Sequence, residues 1–259
     1  MALMPVDDAL AQLKAAAEAY RAGRPLASES LPLLAAQGRI LAQDVIAPIN
    51  VPPANNSAMD GYAFRHSDAL SASSLAVSQR IPAGAAPQPL MPGTAARIFT
   101  GGVMPEGADT VEMQENCHEA DGNVKFLQAP RLGSHVRLAG EDIAQGSTVL
   151  QAGVRLGPAQ SGLLASLGMA EVAVSQRLRV ALLCTGNELV APGNTLQAGQ
   201  LFNSNETLLT ALLQQQGCEV INLLPVMDSL AATKHALDQA VALGAHLVVS
   251  TGGVSVGEE

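Results

Sequence analysis

Apolar positions recur along this chain in three different rhythms. Near the N-terminus Leu10, Leu13, Ala17 and Tyr20 repeat at helical spacing, with Asp7 before them and Gly23 and Pro25 behind, so the spacing predicts a helix capped by Asp7. Residues 31–37 then read as a short helical stretch and residues 39–46 as a strand, after which Pro48, Pro52 and Pro53 break regular structure. From Val51 to about Leu138 the rhythm changes to short β-type runs, 75–79, 96–100, 110–114 and 124–127, divided by Gly and Pro, and predicts a small all-β domain. Residues 67–74 and 81–92 are expected to be loops or turns. A passage rich in glycine, through Gly146, Gly153 and Gly157, leads to a predicted helix over 158–167 and a strand over 171–174. These are expected to rejoin the N-terminal helix as one discontinuous unit.

Beyond Arg177 strands and helices alternate. Runs 179–184 and 245–250 are continuously apolar, as in buried parallel strands, and 218–224 is a weaker third. Helices are predicted between them over 205–216 and 229–243, ending at Gly217 and Gly244. That alternation implies a parallel sheet whose ligands sit outside the carboxyl ends of its strands. Thr185-Gly-Asn-Glu188, Asp228 and Thr251-Gly-Gly253 all fall there. The expected fold class is multidomain, α+β and α/β: a discontinuous helix-containing domain (1–50 and 141–177), a small all-β domain (51–140), and an incomplete three-layer α/β domain with a parallel sheet (178–259).

Composition narrows the partners. The formal charge is −9 and aromatic residues make up 2% of the chain, with no Trp. Scattered Lys and Arg without stacking platforms do not suit nucleic acid. No apolar run approaches the roughly 20 residues needed to span a bilayer, and the N-terminus does not read as a signal peptide. Cys117, Cys184 and Cys218 are odd in number and widely spaced, which fits neither a disulfide framework nor a zinc site and suggests a reducing cytoplasm.

The candidate chemistry lies in loops. Residues 246–259 read as a buried strand running into a glycine-rich turn, a backbone suited to an anion, with no following helix in the chain. Gly253-Val-Ser255-Val-Gly257 also matches a nucleophile elbow, but the triad partners of that fold follow the serine and here only two glutamates do. No Gly-x-Gly-x-x-Gly follows a strand and no Gly-x-x-x-x-Gly-Lys occurs, so dinucleotide binding and P-loop hydrolysis lose their main supports. Taken singly, Asp60-Gly61 is a turn signal and Glu188 and Asp228 are surface carboxylates.

In their joint order the segments say more. Pro52-Pro-Ala-Asn-Asn-Ser-Ala-Met-Asp-Gly-Tyr-Ala63, Arg97-Ile-Phe-Thr-Gly-Gly-Val-Met-Pro-Glu-Gly-Ala-Asp109, Gly140-Glu-Asp142, Thr185-Gly-Asn-Glu-Leu189 and Ser250-Thr-Gly-Gly-Val-Ser-Val-Gly257 resemble the molybdopterin molybdenumtransferase family, called MoeA in bacteria and including the gephyrin E domain. The last motif is shared with single-domain molybdopterin-binding proteins, so residues 1–177 carry the distinction. The resemblance implies insertion of molybdate into adenylylated molybdopterin (molybdopterin-AMP), with release of AMP and a requirement for Mg²⁺. It implies Asp60, Thr100, Asp142, Glu188 and Asp228 as catalytic or positioning residues. Gly101, Gly102, Ser250, Thr251, Gly252, Gly253, Ser255 and Gly257 would bind the pterin nucleotide, the Thr100-Gly-Gly and Thr251-Gly-Gly backbones acting as donors. Glu188, Asp228 and Glu258 would hold the metal. It further implies an elongated homodimer with its site between the α/β domain of one subunit and the β domain of the other, and the molybdopterin adenylyltransferase as a partner.

The chain departs from the family pattern in two places. Asn187 stands where Asp is common. After Val256-Gly257 the family places an acidic residue, a variable one and then Asp; here Glu258 and Glu259 fill the first two. The rest of the α/β sheet, with its basic and proline-bearing molybdate segment, and a C-terminal β-barrel do not follow. The sequence therefore reads as C-terminally truncated, with impaired or absent activity expected of this chain alone, a dimerising scaffold or partial pterin binder as the alternative, and Leu247, Val248 and Val249 or a sheet edge expected to lie exposed.

Overall fold

The computed structural model describes residues 4–23, 26–223 and 226–251. Contacts divide the chain into two compact units: residues 1–43, 153–158 and 171–259 form the first, and residues 44–152 and 159–170 the second.

The first unit opens with helix α1 (Val6–Gly23), which carries Asp7 and Asp8 in its first turn and Arg21 in its last, charges that suit the two ends of the helix dipole. Asp7 is therefore inside the helix and not its cap. None of its residues is buried, and Leu10, Leu13 and Tyr20 of the predicted apolar face stay exposed in the single chain. The short helix expected over 31–37 is absent. Strand Ser28–Pro32 pairs antiparallel with Glu171–Ser175 through five successive positions, and the chain then turns with the Ala35 and Ala36 N–H groups both on the Pro32 carbonyl. A partner about 140 residues away outcompetes a local helix of two turns. The strand expected over 39–46 is likewise broken into isolated bridges at Ile40 and Leu41 and a two-residue strand Val45–Ile46. Arg39, almost fully buried, explains the break: its guanidinium bonds Glu29 at 2.5 Å and the Ser175 carbonyl at 2.8 Å instead of continuing an apolar face.

The second unit is built on a six-stranded sheet. Its strands are β1 (Gly61–Phe64), β2 (Leu75–Ile81), β3 (Thr94–Ile98), β4 (Thr110–Met113), β5 (Cys117–Ala120) and β6 (Asn123–Phe126), in spatial order β4-β1-β3-β2-β6-β5. β2 and β3 run parallel and the remaining pairs antiparallel. Alternation along these strands feeds two apolar clusters. Ala63, Ile81, Ala96, Ile98 and Val111 share one; Tyr62, Phe64, Leu75, Ala95 and Val124 share the other, where Phe64 meets Phe126 with centroids 4.4 Å apart. The stretch is not all-β: residues expected to be loop include helix α2 (His66–Ser71), whose first N–H is bonded by the Asp109 carboxylate at 2.8 Å. That acceptor lies 43 positions away and leaves no local signal. Helix α3 (Pro158–Ser166) begins at the proline, as expected of a residue that needs no N–H there.

The remainder of the first unit is the alternating region. Parallel strands β7 (Arg179–Cys184), β8 (Glu219–Asn222) and β9 (Leu247–Thr251) lie in the order β8-β7-β9, with helices α4 (Ser204–Gln215) and α5 (Leu230–Ala242) between them in the chain. β7 is buried along nearly its whole length because it is paired on both sides. β9 is an edge of this sheet among the described residues; Leu247 is half exposed, whereas Val248 and Val249 are partly buried. The helix starts follow local chemistry: Asn203 accepts from the Glu206 N–H and gives its amide to the Glu206 carboxylate, and Ser229 accepts from the Ala232 N–H.

Candidate functional site

In the second unit, Asp60 immediately precedes β1 and Thr100 follows β3, and the antiparallel register that pairs Gly61 with Ile98 brings the two together. One Asp60 carboxylate oxygen accepts from both the backbone N–H and the hydroxyl of Thr100, each at 2.8 Å. The Thr100 N–H and then its hydroxyl hold the Asp60 carboxyl below its ordinary value, against an opposing effect of burial, and the charge of Arg97 adds the smallest contribution in the same downward direction. Among the described residues the second carboxylate oxygen and the lone pairs of the Thr100 hydroxyl remain available as acceptors.

Glycine is required on both sides of this pair for steric reasons. A Cβ on Gly61 would stand 2.0 Å from the Glu112 carbonyl oxygen, so only glycine lets β4 pair here. The turn from Phe99 to Gly102 is closed by a 2.8 Å bond from the Gly102 N–H to the Phe99 carbonyl, and Gly101, with φ +78°, takes the left-handed conformation that this turn needs. The Gly101 N–H goes to the Ser57 carbonyl, and the Ser57 N–H returns to the Gly102 carbonyl. All three N–H groups of Thr100, Gly101 and Gly102 are thus donated within the protein. The expectation that this backbone presents free donors to an anion is corrected: its glycines shape the turn, and its outward chemistry is that of oxygen acceptors.

Arg97 opens the second motif. On β3 it lies opposite Tyr62, giving hydrogen bonds to the carbonyls of Gly61 (2.8 Å) and Ile98 (3.1 Å) and to the Gln114 side chain. Its guanidinium carbon stands 5.1 Å from the centroid of the Tyr62 ring and 4.6 Å from that of Phe99, and Arg80 stands 4.5 Å from the Phe99 centroid. The signal that could have found it is a lone arginine in a strand otherwise made of Thr, Ala and Ile. Buried Tyr62 also bonds Glu119, and burial followed by that bond pushes its hydroxyl up to about 12.

The Pro52–Ala63 and Gly140–Asp142 motifs are stitched into the same unit. The Ala139 N–H meets the Asn55 side chain at 2.8 Å, the Gly140 N–H the Pro52 carbonyl at 3.0 Å, and the Asp142 N–H the Val51 carbonyl at 2.9 Å. The Asp142 carboxylate bonds Arg137 at 2.5 Å, not Asp60.

In the first unit, the carboxyl ends of all three parallel strands meet. The Thr185 hydroxyl donates to the Thr251 carbonyl at 3.1 Å, Thr185 bridges Val226, and the Gly186 N–H meets the Val226 carbonyl at 3.2 Å. Asn187, where the family pattern has Asp, accepts through its side-chain oxygen from the Asp228 N–H at 3.1 Å and ties the first loop to the second. Glu188 folds back over Gly186, where a Cβ would lie 2.7 Å from both carboxylate oxygens. Glu188, Asp228 and Ser250 are exposed, and Thr251 is partly so. Gly252, Gly253, Ser255, Gly257 and Glu258 lie outside the described residues. Among the described residues no three His, Cys, Asp or Glu side chains form a metal cage, and no helix is long and apolar enough to cross a membrane.

Comparison with known proteins covers both units. Residues 4–168 match the family described as "MoeA N-terminal region (domain I and II)", and residues 181–259 match the "Probable molybdopterin binding domain". The molybdopterin molybdenumtransferase of Haemophilus influenzae is 44% identical over 236 residues, which are 90% of this chain and 58% of that protein. Molybdopterin molybdenumtransferase 2 of Mycobacterium tuberculosis is 41% identical over 93% of this chain and 60% of its own length. The crystal structure of a molybdopterin biosynthesis MoeA protein from Pyrococcus horikosii superimposes with a TM-score of 0.86 at 32% identity, over 97% of this chain and 64% of that one. The chain spans about three-fifths of the length of the curated relatives it matches.

Proposed function

The chain belongs to the molybdopterin molybdenumtransferase family, and from that premise we propose that it acts in molybdenum cofactor biosynthesis, in the insertion of molybdate into adenylylated molybdopterin with release of AMP. The observation that carries this reading is the Asp60–Thr100 pair: two motif residues 40 positions apart are joined at one turn, with oxygen acceptors left open beside it. Such acceptors suit the N–H and O–H groups of a pterin or ribose, or a hard cation.

The proposed roles follow from chemistry. Asp60 and Thr100 orient substrate through the lone pairs they leave free, while Gly101 and Gly102 give the turn its shape. Asp142 acts from its ion pair with Arg137. Ser250 and Thr251, with Gly252, Gly253, Ser255 and Gly257, receive the pterin nucleotide. Mg²⁺ takes one or two carboxylates and otherwise keeps water and substrate phosphate oxygens, so exposed Glu188 and Asp228, on the loops after two adjacent strands, fit it without a protein cage, and Glu258 would join them. When bound, the ion supplies neutralisation of phosphate charge as AMP leaves. A homodimer is supported by the uncovered apolar residues of α1, since exposed apolar faces mark contacts between chains. The adenylyltransferase that supplies the substrate is the proposed partner.

The test is to titrate the purified chain with adenylylated molybdopterin in the presence of Mg²⁺ and molybdate, following binding and AMP release together. Binding is expected, weakened by Asp60→Asn and by Asp228→Asn. A chain that neither binds the nucleotide nor releases AMP would overturn the reading.

A further inference from the structure

We propose that Arg97 is the positioning residue of the Asp60–Thr100 pair, a fork and a cation that lock both segments carrying it. The inference extends the reading above, since it assigns the pair a support that neither the motifs nor the family descriptions name.

Three observations converge on it. The first is connectivity. Arg97 bonds the carbonyl of Gly61, the residue after Asp60, and the carbonyl of Ile98, two residues before Thr100. It also bonds Gln114, whose own backbone N–H meets the Asp60 carbonyl at 3.0 Å. One side chain therefore touches each of the three segments that meet at the pair. The second is stacking. Planar guanidinium over Tyr62, which follows Gly61, and over Phe99, which precedes Thr100, fixes the ring on either flank of the pair. Lysine has neither the fork nor the plane.

The third is charge. None of the ion pairs among the described residues includes Arg97 or Arg80. The two arginines occupy paired positions on β3 and β2, and both lie against Phe99. The charge of Arg97 reaches the nearby Asp60 anion and adds to the two Thr100 bonds in favouring its charged form, while Glu112, Glu115 and Glu119 lie on the side of Tyr62 and Cys117.

The experiment needs no substrate, so its outcome is separate from that of the nucleotide titration. Asp carboxyl carbons and backbone amides of the full chain are followed by NMR across acid pH in the unaltered protein, Arg97→Met and Arg97→Lys. In the unaltered protein the Thr100 amide shift is expected to follow the Asp60 titration, because that N–H donates to the titrating oxygen. In Arg97→Met the Asp60 midpoint is expected to rise and the coupled Thr100 shift to be lost; Arg97→Lys is expected to bring the midpoint back down without restoring the Thr100 shift. A folded Arg97→Met protein, with the α2 and β6 amides of the same unit unchanged, that keeps both signatures would overturn the proposal. Should Arg97→Met fail to fold, the unaltered chain still decides: resolved, slowly rotating Arg97 guanidinium protons support the lock, and a single averaged signal overturns it.

Discussion

The turn beside Asp60 and the strand ends around Glu188 each carry candidate site residues of their own unit, but they are built on opposite plans. In the second unit every N–H of Thr100, Gly101 and Gly102 is already bonded, Asp60 is held by two donors, and Arg97 pins both flanks. In the first unit the backbones of the three strand ends are linked, but Glu188 and Asp228 stand exposed, and one side-chain bond from Asn187 joins their loops. The first arrangement is organised before any ligand arrives. The second leaves its carboxylates free for a ligand or cation to order, which suits residues whose partners are water, metal and phosphate.

The largest test of this contrast is Gly61→Val. Its side chain has no room against the Glu112 carbonyl, so β1 and β4 must part and the turn must open. A loss of roughly 3 kcal/mol or more is expected in denaturant unfolding, within the range of severe core lesions. A Val variant as stable as the parent would show that the turn is not locked by that approach.

Alkaline pH offers a second route into the locked unit. Burial, then the bond and charge of Glu119, raise Tyr62 from 10 to about 12, and burial, then Glu112, raises Cys117 from 9 to about 12. The folded state keeps these protons longer than the unfolded one, so stability is expected to fall as pH rises from about 9 to 12. Cys117→Ala and Tyr62→Phe should flatten that limb, and unfolding curves with the same alkaline limb in both variants would remove these groups as its cause. At the acid end the sign reverses. Because Asp60 is held below its ordinary 3.8, its contribution is present above that value and is lost as pH falls through the lower folded one. Asp60→Asn should therefore lower the thermal midpoint at pH 7 and bring the two proteins together near pH 2.

The open half should respond weakly. Asn187→Ala is expected to speed hydrogen exchange at the Asp228 amide by about five- to tenfold, the worth of one net hydrogen bond, with no change at Thr100. Glu188→Gln and Asp228→Asn are expected to change global stability by less than about 0.5 kcal/mol, as surface substitutions do. A large loss from either would mean that the carboxylates are structural and the two halves are alike.

The alternating part of the chain is legible in the sequence to within a residue or two at most ends, because its signals are local. Continuous apolar runs mark β7 and β9, Asn203 and Ser229 cap their helices through contacts three residues on, and glycine closes each helix. Residues 31–46 and 67–74 depart from their local pattern because their decisive partners are remote: Glu171–Ser175 for the first strand, Ser175 for Arg39, and Asp109 for α2. The candidate site divides in the same way. Asp60 and Thr100 could be named from motifs, whereas the roles of Arg97 and Asn187 could not, since nothing in a string shows which carbonyl or amide a side chain will meet.

By itself, then, the sequence determined the helix and strand rhythm, the parallel grammar of its last third, the family, and the residue types that could do chemistry. Tertiary structure alone decided that Asp60 and Thr100 are joined through one carboxylate oxygen, that the N–H groups of the glycines beside them are donated within the protein, and that one arginine bonds both flanks of the pair. The reason is physical: propensity and capping act over a few residues, but register, burial and the direction of each N–H are set only when strands distant in the chain are paired.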